Sequence, residues 1–201
     1  MGIQDRKERE RESMKALILN AAMALYEENG LESVSIRSIA ERIEFSPATI
    51  YLYYRDKEEI FYGLYNLAFG KFILALQSRP KNNDPWETLY SGCKLYVDWA
   101  LEHPKLYDLM FILEMPMNVI IEQDCKDLGQ EAFGILVEAV AIAIEHGLLK
   151  VKEVQLASYM IWNMLHGIVS LIIKRRVLVP REQEEVMVNT LLETFFVLVK
   201  K

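Results

Sequence analysis

Apolar residues recur three and four positions apart along almost the whole 201-residue chain, and no other feature constrains the fold as much. From Met14 to Asn29 the stripe is Leu17, Ile18, Ala21, Ala22, Leu25 and Tyr26, the pattern of a helix with one buried face. No alternating strand of useful length and no Asn-Gly hairpin signal interrupts this periodicity, so the expected fold is all-α.

Local punctuation divides the periodic chain. Gly30 is placed to end the first helix in a left-handed cap. Ser35 can cap a second, whose stripe is Ile36, Ile39, Ala40 and Ile43. Ser46-Pro47 starts a third, short helix reaching Tyr53, because a serine hydroxyl accepts from exposed N–H groups and proline suits the first turn. Asp56-Lys57-Glu58-Glu59 starts a fourth that runs to about Gln77, before the loop RPKNNDP from Arg79 to Pro85. Further helices are expected over Trp86–Glu102, Leu106–Leu113 after a break at His103-Pro104, and Asp124–His146, closed by Gly147. Pro116 interrupts between the last two, and Glu153 to about Lys174 and Arg181–Val199 complete the chain, separated by a turn at Pro180.

Bulk properties narrow the function. At 52% apolar and 26% charged the chain is globular, and no uninterrupted apolar run reaches the roughly 18 residues of a membrane span. The opening MGIQDRKERERESMK is charged throughout and offers no signal-peptide core, so no membrane partner and a cytoplasmic location are expected. Cys93 and Cys125 lack CxxC spacing and read as free thiols, with no metal site and no cofactor. Three histidines and no HExxH, GxSxG, GxGxxG or Walker motif argue against an enzyme, and no catalytic residue is nominated. A net charge of -6 argues against a protein that coats nucleic acid. It leaves room for a local contact near the N-terminus: residues 1–57 carry nine Lys/Arg against ten Asp/Glu, the remainder fourteen against nineteen.

The helix from Ser35 to Ile43, the turn Glu44-Phe45 and the helix from Ser46 to Tyr53 have the size and order of a helix-turn-helix, with small Ala40 at the bend. The run VSIRSIAERIEFSPATIYLYYRDKEEIF resembles the N-terminal DNA-binding domain of the TetR family of bacterial and archaeal regulators, over about Ala16 to Leu64. Glu44 departs from the family pattern, which often has glycine in the turn; a left-handed glutamate costs roughly 1 kcal/mol. The resemblance implies a DNA-binding domain over residues 1–64, with 1–13 as a charged N-terminal arm, and a helical ligand-binding and dimerisation domain over 65–201.

Within this frame the three tyrosines separate by direction. Ile50 and Tyr54 are four apart and share an inward face, leaving Tyr51 and Tyr53 to donate to phosphates or pack on sugar and thymine methyls. Ser46, Pro47, Ala48 and Thr49 open the same helix, Ala48 and Thr49 being small enough to meet base edges. Lys57, Ser35 and Arg37 stand at helix starts, where charge and backbone N–H groups suit a phosphate. The resemblance assigns DNA-facing roles to the positions of Tyr51, Tyr53 and Lys57. Arg6, Lys7, Arg9 and Arg11 are candidates for a DNA-reaching arm, yet interleaved Asp5, Glu8, Glu10 and Glu12 favour a solvated helix extension.

The resemblance further implies a small-molecule pocket and dimerisation through the last two helices. Independently, Val186, Met187, Val188, Leu191, Leu192, Phe195, Phe196, Leu198 and Val199 cover more than one stripe, so the last helix needs a second partner. Two such helices from each subunit would pair with two-fold symmetry on a palindromic operator. Candidate pocket residues are Trp99, Tyr107, Met110, Phe111, Tyr159, Trp162, Asn163 and His166, a lining suited to an apolar or aromatic effector. The expected function is a ligand-responsive regulator of transcription, usually a repressor; the alternative is a TetR-like DNA-binding protein acting through a protein partner.

Overall fold

The computed structural model describes residues 2–80, 82–113, 128–177 and 179–201, and within them the chain is helical from end to end. The helices are α1 (Ile3–Asn29), α2 (Ile36–Arg42), α3 (Pro47–Tyr51), α4 (Lys57–Gln77), α5 (Pro85–Glu102), α6 (Pro104–Tyr107), α7 (Leu128–Glu145), α8 (Val154–Ile173) and α9 (Arg181–Val199). The expected start at Asp124, the interruption at Pro116 and Cys125 lie outside the described residues.

The start signals act as local chemistry requires. Ser35 Oγ accepts from the Ser38 N–H and Ser46 Oγ from the Thr49 N–H, with Pro47 in the first turn. Asp56 accepts from the Glu59 N–H at 2.8 Å, and this bond together with Arg55 pulls its carboxyl below the usual range.

Four expectations need correction. Helix α1 begins at Ile3 rather than at Met14, because the charged residues 5–12 are helix formers that wind on without a break, the helix extension that their interleaved charges favoured. Gly30 has φ 82 but ψ -177, an extended mirror conformation open only to glycine, and not the left-handed cap. Helix α3 stops at Tyr51, so Tyr53 lies in the turn after it, its N–H bonded to the Ile50 carbonyl at 3.0 Å. Beyond α6 a π-turn spans Asp108–Ile112, closed by the Leu113 N–H on the Asp108 carbonyl, and only His103 separates α5 from α6.

The chain falls into two compact units, one of residues through Ala68 with the segment beginning at Tyr107, the other of Phe69–Leu106 and Leu128–Lys201. In the first, α1 packs on α2 and α2 on α3 around Ile18, Ala22, Val34, Ile39, Ala40 and Ile50, all fully buried. Helix α4 approaches α1 so closely at Gly63 that a Cβ there would stand 2.6 Å from Leu19 Cδ2.

In the second unit α5, α7 and α8 pack on one another. The Arg79 guanidinium donates to the Leu76 and Thr88 carbonyls, and Gly92 leaves the space it occupies. Burial depresses that guanidinium and raises the adjacent Cys93 thiol to about 12, so the thiol stays protonated. Helix α9 buries Val188, Leu192 and Phe196, the last flanked edge-on by Trp86 and Tyr90.

Helices α4 and α8 are long and apolar enough to cross a membrane by length and composition alone, with mean hydropathies of 1.2 and 1.6. In α8 only 33% of the apolar window is buried within the chain, so its apolarity exceeds what its own core uses.

Candidate nucleic-acid interface

Helix α2 ends in a Schellman motif that sets the turn before α3. The Phe45 N–H bonds the Ala40 carbonyl at 2.9 Å and the Glu44 N–H the Glu41 carbonyl, with Glu44 left-handed at φ 60. Arg42 then forks onto Glu28 of α1, Nη1 to Oε2 at 2.8 Å, which lowers that carboxyl and braces α2 against α1.

This framework presents α3 outward. Ser46, Pro47 and Ala48 are exposed, and Thr49 is half-buried with Oγ1 3.0 Å from Ser46 Oγ. Tyr51 is 56% exposed and stands beside exposed Leu52. Ile50 is fully buried and Tyr54 nearly so, as their four-residue spacing demands. Tyr53, half-buried, faces the N-terminal half of α1 across a groove.

The flanking groups are less uniform. Ser35 spends its hydroxyl on the cap and on Ser38 Oγ, while exposed Arg37 pairs with Glu41 at 2.9 Å. Lys57 is exposed at the start of α4 with its ammonium 4.9 Å from the Phe61 ring centroid, a contact that limits where the charge can swing.

The eight effector candidates are divided between the two units. Tyr107 and Met110 are buried in the first unit, where Tyr107 meets half-buried Phe111 at 5.3 Å between ring centroids. In the second unit Tyr159, Trp162 and His166 run along one face of α8, Trp162 and His166 being 4.6 Å apart. Asn163 lies on the exposed side of the same helix.

Partners that sequence reasoning missed complete the row. The Tyr96 hydroxyl lies 3.1 Å from His166 Nδ1, Phe133 packs on Tyr159 and Trp162, and Phe72 bridges Tyr96 to Trp99. Burial lowers the His166 pKa to about 4, so the imidazole is neutral and one ring nitrogen remains an acceptor. Separation along the chain hid these partners: Tyr96 is 70 residues from His166.

Comparison with known proteins matches the N-terminal and C-terminal parts of the chain separately. Residues 18–63 match the family described as bacterial regulatory proteins, tetR family, and residues 89–195 the tetracyclin repressor-like C-terminal domain. The uncharacterized HTH-type transcriptional regulator YuxN of Bacillus subtilis (strain 168) is 25% identical over 127 residues, 62% of this chain and 43% of that protein. The fatty acid metabolism regulator protein of the same strain is 36% identical over 56 residues, 28% of this chain and 29% of its own length. The chain thus spans less than half the length of these curated relatives. Among solved structures, the fatty acid degradation regulator FadR from Bacillus halodurans superposes with a TM-score of 0.66 at 21% identity, over 89% of this chain and 94% of that one. With both domain models matched in order, the chain belongs to the TetR family of transcriptional regulators, DNA-binding proteins and not enzymes.

Proposed function

We propose that this regulator is a ligand-responsive repressor that acts in the cytoplasm, binding a palindromic operator as a homodimer and responding to an apolar or aromatic small molecule. Residues 1–64 are assigned to DNA binding, and 65–201 to effector binding and dimerisation. Thr49 and Ala48 meet base edges; Tyr51 and Tyr53 donate to the backbone. Lys57, Arg37 and the N-terminus of α2 at Ser35 hold phosphates, and Ser46 and Pro47 position the helix.

One observation carries the reading: α8 is apolar on three faces. Ala157, Ile161, Leu165 and Val169 enter the chain's own core. Tyr159, Trp162 and His166 form the aromatic row. Leu156, Met160 and Leu171, on a third stripe, are exposed. A face of that kind favours a second copy, and Leu191 and Leu198 on α9 add to it. A ligand seated on the aromatic row then acts on the same helix that fixes subunit separation, provided it binds the two separations unequally. Two relatives are named for fatty acid metabolism, which agrees with an apolar effector.

Footprinting on DNA flanking the chain's own gene tests this, with and without a panel of fatty acids and phenols. A protected palindrome that a compound releases supports the reading. A palindrome no compound affects leaves the protein-partner alternative, and no protected palindrome at low salt overturns both.

A further inference from the structure

We infer that the N-terminal extension of α1 is a second DNA-backbone contact, which widens the footprint beyond that of the helix-turn-helix. The extension, from Ile3 to Leu17, lies outside the segment matched to the DNA-binding family, which begins at residue 18. As a continuous helix it reaches about 22 Å, at 1.5 Å per residue.

Winding sorts charges that the sequence merely alternates. Asp5, Glu8 and Glu12 fall at i, i+3 and i+7, a single acidic stripe. Arg6 and Arg9 fall on a different face and, with Glu10, Ser13 and Leu17, line a groove of about 550 Å³ whose other wall is Tyr53. That tyrosine comes two residues after the last residue of α3, so the groove continues the proposed DNA surface.

Two acidic groups beside the groove have partners. Asp5 Oδ2 accepts from the Gly2 N–H at 2.9 Å, and Glu10 pairs with Arg6 at 2.8 Å. With the Arg6 and Glu10 side chains 79% and 62% exposed, that pair is weak and the guanidinium can exchange it for a phosphate. Arg9 is steadied by Nε donating to the Asp5 carbonyl at 3.2 Å. The groove itself is lined largely by carbon, with Met14 and Leu17 on its floor, so the exposed guanidinium ends of Arg6 and Arg9 at its rim are the groups that would reach a phosphate backbone. The occupant is double-stranded DNA flanking the recognition-helix site.

The inference rests on the DNA-binding role of the family, and its test uses duplexes of two lengths. Full-length protein and its Arg6→Gln/Arg9→Gln variant are titrated with one 16-base-pair duplex, and with the same duplex lengthened by about seven base pairs at each end, over a range of salt. Wild type should bind the longer duplex more tightly and with a steeper salt slope. The variant should lose that gain, its slope falling by about two per chain, at roughly 0.9 per phosphate. Both arginines are exposed, so helicity by circular dichroism should be unchanged. Equal slopes for wild type and variant, or a length gain that survives the substitutions, overturns the inference while binding of the short duplex still upholds the family role. A variant that weakens both duplexes equally also overturns it, because the arginines would then act within the recognition site.

Discussion

The Tyr54 hydroxyl donates to the Lys15 carbonyl at 3.3 Å, and the Lys15 ammonium lies 5.9 Å from the Tyr54 ring centroid, so the residue that follows the tyrosine-rich turn is pinned to α1. Burial, with Glu59 and Glu12, pushes this hydroxyl well above the ordinary range. Tyr51, three residues earlier, has neither burial nor such an anchor. Removing one hydroxyl from each separates structure from recognition. Tyr54→Phe should cost about 1 kcal/mol in urea denaturation with little direct effect on base contacts. Tyr51→Phe should leave stability unchanged and weaken DNA binding across sequences, as read by fluorescence anisotropy.

Lys57 gives the electrostatic counterpart. Its ammonium is held over Phe61 at the start of α4, an arrangement suited to a phosphate. Lys57→Ala should reduce the salt slope of DNA binding by about one per chain without changing sequence preference, whereas Thr49→Ala should change preference more than slope. An unaltered slope in Lys57→Ala removes the phosphate assignment.

Glu44 sits in the turn at φ 60, where a side chain is strained. Glu44→Gly relieves roughly 1 kcal/mol of that strain, part of which is offset by the greater freedom of glycine in the unfolded chain. A gain of about 0.5 kcal/mol in urea denaturation is expected. Removing an exposed negative charge beside α3 should also tighten DNA binding at low salt.

These residues show what was legible in the sequence. Ser35, Ser46-Pro47 and Gly147 act through groups one turn away, so their signals survive without tertiary information. Arg175, left-handed at φ 52, ends α8 with the same local backbone pattern, its N–H on the Ile172 carbonyl and the Arg176 N–H on the Leu171 carbonyl, but no glycine or asparagine marks the place in the sequence. The π-turn at Asp108–Ile112 was invisible because its residues read as ordinary helix formers. In the aromatic row the Trp162–His166 pairing follows from i,i+4 spacing, but Phe72, Tyr96 and Phe133 arrive from three other helices.

His166 should make stability depend on pH. Its folded pKa, about 4, lies below the ordinary 6.5, so the unfolded chain takes up the proton first as pH falls. The contribution is therefore complete above pH 6.5 and is lost progressively toward pH 4, by at most about 3 kcal/mol and less to the extent that solvent screens the ring. In urea denaturation at pH 7 and pH 5, wild type should lose more stability than His166→Gln, which retains a partner for Tyr96 without the titration. Equal losses would show that His166 is not the group responsible.

The outer stripe of α8 tests dimerisation. Leu156, Met160 and Leu171 share that face, 53%, 41% and 47% exposed in the isolated chain, and Gly167 stands on the same stripe, where an added Cβ would meet no described atom within 4 Å beyond its chain neighbours and its own helix backbone. Nothing among the described residues therefore explains a glycine that costs a helix about 1 kcal/mol relative to alanine. Close approach of a partner helix would explain it. Gly167→Ala should raise the helical stability of the monomer yet weaken self-association, and Leu171→Glu should abolish association by burying a charge in the interface. Sedimentation velocity across a hundredfold concentration range reads both effects. A wild-type chain that stays monomeric throughout, or a Leu171→Glu variant that still dimerises, would place the interface elsewhere.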